Sequence, residues 1–554
     1  MSSERRLSLV ACLAAAASFV AAGGRTADQR FYPDDPLRVD RDTVHDASAS
    51  TEQRLSEAVD LFENSLAPRP TGDPGRALNV NTLDEAPDSS WFTNRIGQRP
   101  MSVEEIVRGP DTFGRLEVAE WVVTGGKGPA GFQPGFRAAD ARFPGQQFQL
   151  EVDLERHAEL ASGAEIIGTA FYHAIGYNVV DIYLVDVDPS KIRIADTATE
   201  RDASGRRAYT QRDLDLVFEQ AARNPDGTYR MTAGRFVEGD PRGPFKHFGT
   251  RPDDPNDIFP HEHRRELRGN RVFCAWLNHD DSRAPNTLDM LVGPDGGKWI
   301  KHYMFDFGSI LGSSPERWWS GQAYMLERGG SLWSLLSLGL PVRHWQRVND
   351  PRRLPMAVGR LGSEGFDPAT WKPEYPNRAF DNMRADDAFW AARIVSRFSD
   401  DAIRAVVAKA KYRDPLVTDY IASALIERRN RIRQTWLTVV NPIVEPMLAA
   451  DGSFTFENAA VAAGVATAPA EYRLSWSRFD NVADARVGAS HDVMSAGAGS
   501  IAPEAVLRGS AFVTVAIETR HPGFPRWAAP VHVYFRRTST GWEAVGIDRQ
   551  LPEG

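Results

Sequence analysis

His279-Asp280-Asp281-Ser282-Arg283-Ala284-Pro285-Asn286 and, further on, Tyr303-Met304-Phe305-Asp306-Phe307-Gly308 decide the reading of this chain. Between them, Leu288–Val292 and Lys298–Phe305 are strand-like runs joined by Gly293-Pro294-Asp295-Gly296-Gly297. The run before His279 has helical spacing: Leu267, Cys274 and Leu277 share one face of a helix predicted over Glu262–Leu277, with Pro260 at its start. The order is therefore helix, polar loop, hairpin, then Asp-Phe-Gly. Asn286 and Asp306, which flank this hairpin in sequence, supply hard oxygen ligands of the kind Mg²⁺ prefers.

Here the chain resembles the protein-kinase-like superfamily. His279-Asp280-Asp281 stands where kinases carry His-Arg-Asp, Asn286 follows Asp281 at the catalytic-loop spacing, and Asp306-Phe307-Gly308 is the DFG triplet. The resemblance implies transfer of the ATP γ-phosphate to a hydroxyl. Asp281 takes the acceptor's proton, Arg283 faces the transferring phosphate, and Asn286 and Asp306 hold Mg²⁺ or Mn²⁺. It covers roughly 100–440 and is strong over 260–312.

Kinases also pair a lysine on the third strand with a glutamate on the following helix. Glu165, near the start of a helix predicted over Ser162–Ile175, fits the glutamate. The strand Phe148–Val152 carries Glu151 at the lysine position. Lys127, in the turn Gly125-Gly126-Lys127-Gly128-Pro129-Ala130-Gly131, is the alternative contact for phosphates. Asp280 replaces the arginine that senses a phosphorylated loop, and Ser314-Pro315-Glu316 follows Gly308 too closely for a long activation segment. In these departures the chain is similar to atypical kinases such as the HipA toxin kinases and the secreted spore-coat CotH kinases. Glu151 also motivates a rival reading, a pseudokinase that binds nucleotide or a partner without catalysis.

The expected fold is α+β and two-lobed. A small, mostly antiparallel N-lobe with one main helix occupies 101–240, and a helical C-lobe occupies 241–445. Strands are expected at Glu117–Val123, Val179–Val187 and Thr228–Val237, and a polar helix at Gln211–Arg223. C-lobe helices are expected at Asp386–Phe398, Asp400–Lys411 with Ser399 as N-cap, and Pro415–Leu437. Residues 23–100, rich in Asp, Pro, Arg and Ser, read as an extended arm with a short helix near Glu52–Glu63. Residues 446–554 read as a separate β module, with Tyr472/Leu474/Trp476 alternating and a hairpin over Val531–Arg537 and Trp542–Ile547.

Of 554 residues, 65 are basic and 74 acidic, a net charge of -9, so the basic surplus of a non-specific nucleic-acid binder is missing. Residues 1–22 read as a cleaved signal peptide: Arg5-Arg6, an apolar run from Leu9 to Ala22, and Val20-Ala21-Ala22 before the cut. A periplasmic or secreted chain without a transmembrane segment follows. Of the two cysteines, Cys12 lies in that stretch, so Cys274 has no internal disulfide partner and reads as a small buried hydrophobe. His261-Glu262-His263 lacks the spacing of a helical zinc pair and reads as a helix start, with Arg264 and Arg265 solvated. His279, His302, Asp280, Asp281 and Asp306 as a hydrolase metal cluster is a minor alternative. Trp318, Trp319 and Trp333 are read as core, with a sugar-binding surface as the alternative.

Overall fold

Alternation of buried and part-exposed side chains turns Trp121–Gly126 (β1), Gly135–Asp140 (β2) and Gln147–Val152 (β3) into an antiparallel meander. The computed structural model describes residues 29–66, 72–111, 120–128, 133–143, 145–202, 205–313, 332–333, 335–340, 354–374 and 376–551. The signal-like stretch 1–22, the end of the glycine turn, Ser314-Pro315-Glu316 and Trp318-Trp319 lie outside the described residues. Trp333 is described and is 63% exposed, so it does not pack in a core.

The remaining secondary structure of this region is Leu160–Ile175 (α3), Asn178–Val179 (β4), Ile182–Val187 (β5), Ile192–Asp202 (β6), Gly205–Ala208 (β7), Gln211–Glu219 (α4) and Tyr229–Arg235 (β8). Two helices precede it, Glu57–Leu66 (α1) and Val103–Arg108 (α2). One sheet has seven strands in the order β5-β8-β3-β2-β1-β6-β7, antiparallel except for β1 with β6. The apolar run expected as a single strand over Val179–Val187 is split. Val179 pairs with Met304 in a different sheet, while Ile182 pairs with Gly234.

α3 begins where Asp153 accepts from the backbone N–H of Glu159 (3.0 Å) and Ser162 (2.9 Å). It ends at Gly176, whose φ of 145° only glycine adopts readily. Almost all of its faces are buried. Gly163 and Gly168 let it lie close to Tyr412 and Phe307: a Cβ at Gly168 would stand 2.6 Å from Phe307 Cβ.

The second sheet is β4-β11-β10-β9, built from Asp240–Gly243 (β9), Thr287–Val292 (β10) and Trp299–Met304 (β11). Arg265–Leu277 (α5) precedes the β10–β11 hairpin, and Asn278 ends it in the left-handed region. Arg264 and Arg265 are not solvated. Arg264 meets Asp257 at 3.3 Å and lies 4.5 Å above the Trp91 ring. Arg265 meets Asp387 at 2.8 Å and Asp84 at 2.9 Å. The carboxylates around these guanidiniums offset the cost of burying their charge. Arg378–Asp381 (α6), Ala385–Ser396 (α7), Asp400–Lys409 (α8) and Pro415–Trp436 (α9) complete this unit, and Ser399 caps α8 through Ala402 N at 3.1 Å.

The C-terminal region is β-rich. Ile443–Leu448 (β12), Ser453–Asn458 (β13) and Gly499–Ile501 (β16) form one sheet. Glu471–Asp480 (β14), Ala485–Ser495 (β15), Phe512–Arg520 (β17), Val531–Arg537 (β18) and Trp542–Arg549 (β19) form an antiparallel second one. Tyr472, Leu474 and Trp476 fill its core as their alternation predicts. Asn441 joins it to α9, donating to the carbonyls of Ile517 (2.9 Å) and Ala529 (3.1 Å). Trp527 reaches back into the main core and donates to Thr438 O at 3.0 Å. Among the described residues no helix is long and apolar enough to cross a membrane.

Trp527→Ala empties a fully buried indole site at this junction. The expected cost is about 3–5 kcal/mol, measured as a lower urea midpoint. A loss below about 1 kcal/mol would show that the junction does not depend on it.

Candidate functional site

The hairpin register brings the site together. Thr287 pairs with Met304, so one step outward Phe305 N donates to Asn286 O at 3.3 Å, and Asp306 comes next. Asp306 turns in the left-handed region at φ 61°. Asn286 Nδ2 donates to Asp281 O at 2.7 Å, and Asn286 N donates to Arg283 O at 3.0 Å. The polar loop is thus folded back on itself, with Asp281, Asn286 and Asp306 at one end of the hairpin.

Arg283 grips Asp281 through two contacts, Nε to Oδ1 at 2.6 Å and Nη2 to Oδ2 at 3.1 Å. It also meets Glu57 of α1 at 3.1 Å and Glu374 at 3.7 Å. Asp60 of α1 accepts from Ala284 N at 3.2 Å, so the helix of the N-terminal arm packs on this loop. Sequence reasoning misses that contact because nothing in the spacing of Glu57 and Asp60 names a distant loop.

Glu165 faces the Asp-Phe-Gly segment and accepts from the backbone N–H of Phe307 and Gly308. A Cβ at Gly308 would lie 3.5 Å from Glu165 Oε2 and 3.7 Å from Asp306 Oδ1, in ordinary van der Waals contact, which places both carboxylates against this turn. Burial, then the charges of Asp306 and Glu151, push the Glu165 carboxyl well above its usual range. Burial also raises Glu151 and Asp306, and Lys127 acts in the opposite sense on both. Asp306 is exposed, while Glu151 and Glu165 are part-exposed.

Lys127, just beyond β1, meets Glu151 of β3 at 2.8 Å and donates to Gln133 O at 2.9 Å. The ion pair at this strand therefore differs from the expected one, which joins a strand lysine to a helix glutamate. The ammonium comes from the glycine turn and the carboxylate from the strand. Glu151 is the site residue that the sequence reading treats only as a defect.

The floor of the site is aromatic. Phe307 lies 4.6 Å from Tyr172 and 5.9 Å from His279 between ring centroids. Burial and the nearby Arg283 hold His279 near a pKa of about 3, hence neutral. Burial pushes the Cys274 thiol up to about 12, and its Sγ lies 3.2 Å from the Tyr172 hydroxyl. His302 is drawn elsewhere: it bonds Asp289 at 2.7 Å and stacks 3.5 Å from Trp91. The hydrolase cluster that included it does not assemble, and among the described residues no group of three or more His, Cys, Asp or Glu is placed to hold a metal ion. His261 likewise pairs with Asp257 at 2.7 Å, in a short turn before α5.

No family model and no curated protein matches this chain; the functional reading rests on the geometry.

A carboxyl whose folded pKa is raised favours folding at low pH and loses that contribution as pH rises through the raised value. Glu165→Gln removes the ionisation that Asp306 and Glu151 oppose. The variant should be more stable than the parent at pH 8, by on the order of 1–2 kcal/mol, with the gap closing towards pH 4. Denaturant unfolding at both pH values measures it, and a gap that widens towards acid would contradict the assignment.

Proposed function

We propose that this protein is an exported, atypical kinase-like phosphotransferase, moving the γ-phosphate of ATP to a hydroxyl acceptor with Mg²⁺ or Mn²⁺. The observation that carries the reading is the convergence of Asp281, Asn286 and Asp306 at one end of a hairpin, with Lys127 and Glu165 in the cleft above. The order of a strand meander, a buried helix bearing Glu165, a second helix and the hairpin supports a two-lobed arrangement. The signal-like residues 1–22 support export.

In this reading the acceptor oxygen bonds to the γ-phosphorus while the bond to the β–γ bridging oxygen breaks and ADP leaves. Asp281 orients the hydroxyl and takes its proton. Arg283, already anchored on Asp281, presents its guanidinium to the phosphoryl oxygens that carry the developing charge. Lys127 reaches the triphosphate from the glycine turn. Asp306 and Asn286 offer the oxygen donors a hard divalent cation takes. Crowding among Asp306, Glu165 and Glu151 fits such a cation, because one ammonium does not neutralise three carboxylates. When bound, the cation neutralises phosphate charge.

The pseudokinase reading draws on two contacts: Arg283 engages both oxygens of Asp281, and Lys127 is held by Glu151. Thermal unfolding of the chain from residue 23 onward, with ATP and either Mg²⁺ or Mn²⁺, separates the two. A hundredfold excess over Kd stabilises a folded state by about 2.7 kcal/mol. The kinase reading expects a metal-dependent shift, lost in Asp306→Ala together with nucleotide turnover. Turnover unchanged in Asp306→Ala would sink it, and a shift without any turnover would favour the pseudokinase.

A further inference from the structure

Two turns along α3 from Glu165, about 12 Å at 1.5 Å per residue, the C-terminal end of the helix borders a separate cavity of about 270 Å³. Arg95, His173, Asn178, Arg235 and Lys301 line it, with Asp181 and Glu238 among the acids. It lies between β4, β11 and the chain leaving β8.

The cations here are unevenly paired. Arg235 is taken by Asp181 at 3.3 Å. Glu238 is exposed at the rim. Arg95 uses Nη1 on two carbonyls at the end of α3, His173 O at 2.7 Å and Tyr177 O at 3.2 Å. That anchors the guanidinium at a helix C-terminus, where a positive charge is favoured. Its Nε and Nη2 have no partner among the described residues. Lys301, on β11, has no hydrogen bond or ion pair among the described residues, and its ammonium lies 5.4 Å from the Tyr303 ring centroid. Burial and the neighbouring Arg95 make its charged form harder to keep. His173 is held neutral, near a pKa of about 3, by burial and then by Arg95, Arg108 and Lys409. It offers one N–H and no competing charge.

Arg95 and Lys301 share a cavity whose acid Asp181 is held by Arg235 and whose acid Glu238 is exposed, and the two cations repel each other across a partly desolvated space. A doubly charged oxyanion removes that repulsion and gives both groups acceptors. We infer that this cavity binds a small dianionic oxyanion of the phosphate class, with the Lys301 ammonium and the Arg95 guanidinium as its charged donors. Asn178 is not a donor to it, because its amide is spent on Ser90 O (2.8 Å) and His302 O (3.0 Å). The site is independent of the nucleotide reading of the cleft. The same chemistry is offered by free phosphate and by a terminal phosphomonoester on a small molecule.

Isothermal titration of the full chain with inorganic phosphate, and separately with glycerol 3-phosphate, at matched ionic strength in chloride, tests the assignment. Saturable binding is expected, weakened at least tenfold in Lys301→Met and largely restored in Lys301→Arg. Lys301 makes no hydrogen bond, so both variants should fold, and their unfolding midpoints check this. Lys127→Met, which alters the cleft, should leave the affinity unchanged. Response to glycerol 3-phosphate alone would assign the phosphomonoester, and response to inorganic phosphate alone the free anion. No saturable binding of either probe, equal affinity in Lys301→Met, or binding lost in Lys127→Met but kept in Lys301→Met would overturn the inference.

Discussion

Gly168 carries no side chain, and the chemical part of the molecule depends on that. With a Cβ there, α3 and Phe307 would overlap at 2.6 Å. Without one, the helix lies flat on the Asp-Phe-Gly turn, the Tyr172 ring packs tilted against Phe307, and Glu165 reaches the two amides after Asp306. The turn has no regular ladder of its own beyond β11, so the helix supplies both its packing surface and its hydrogen-bond acceptor. Because α3 is itself pinned at its start by Asp153 and tied through Arg230 to the carbonyls at the end of α8, the position of Asp306 is inherited from the whole unit.

The same contact concentrates like charge. Glu165, Glu151 and Asp306 share a cleft with one ammonium, and partial desolvation together with their mutual repulsion raises the Glu165 carboxyl most. Folding does not require this: an amide at position 165 would accept from the same N–H groups. Strained ionisation of this kind gathers where a protein handles charged ligands. Under the proposed function, these carboxylates are the reason an anionic nucleotide would enter only with a cation.

The elements that read well from the sequence are those with local causes. The α3 periodicity and its Gly176 stop, the β10–β11 hairpin, Ser399 at the start of α8, and the Tyr472/Leu474/Trp476 alternation each follow from neighbours in the chain. The misses have non-local causes. Val179–Val187 is continuous in hydropathy, yet its two halves pair with strands far apart in sequence, Tyr303-Met304 and Tyr229–Arg235. Arg264 and Arg265 look like surface cations until Asp257, Asp84 and Asp387 close around them. At the site, Asp281, Asn286 and Asp306 are legible because a short loop and a hairpin set them, whereas the Lys127–Glu151 ion pair needs the pairing of β1, β2 and β3 to become visible.

The arm and the β-rich C-terminal region also change meaning once their contacts are known. Phe31 packs beside Phe479 and Tyr534, with Gly546 too close to admit a side chain. Further along, Asp60 and Glu57 hold Ala284 and Arg283, and Trp91 lies under Arg264 beside His261 and His302. One stretch of chain with little regular structure therefore touches the C-terminal sheet, the polar loop and the buried arginines in turn. Its order comes from those partners, since an isolated ten-residue helix such as α1 is marginal in water. Arg283 is accordingly positioned from both sides, by Asp281 within its own loop and by Glu57 from the arm. Its geometry is then a property of how the arm docks as much as of the loop sequence.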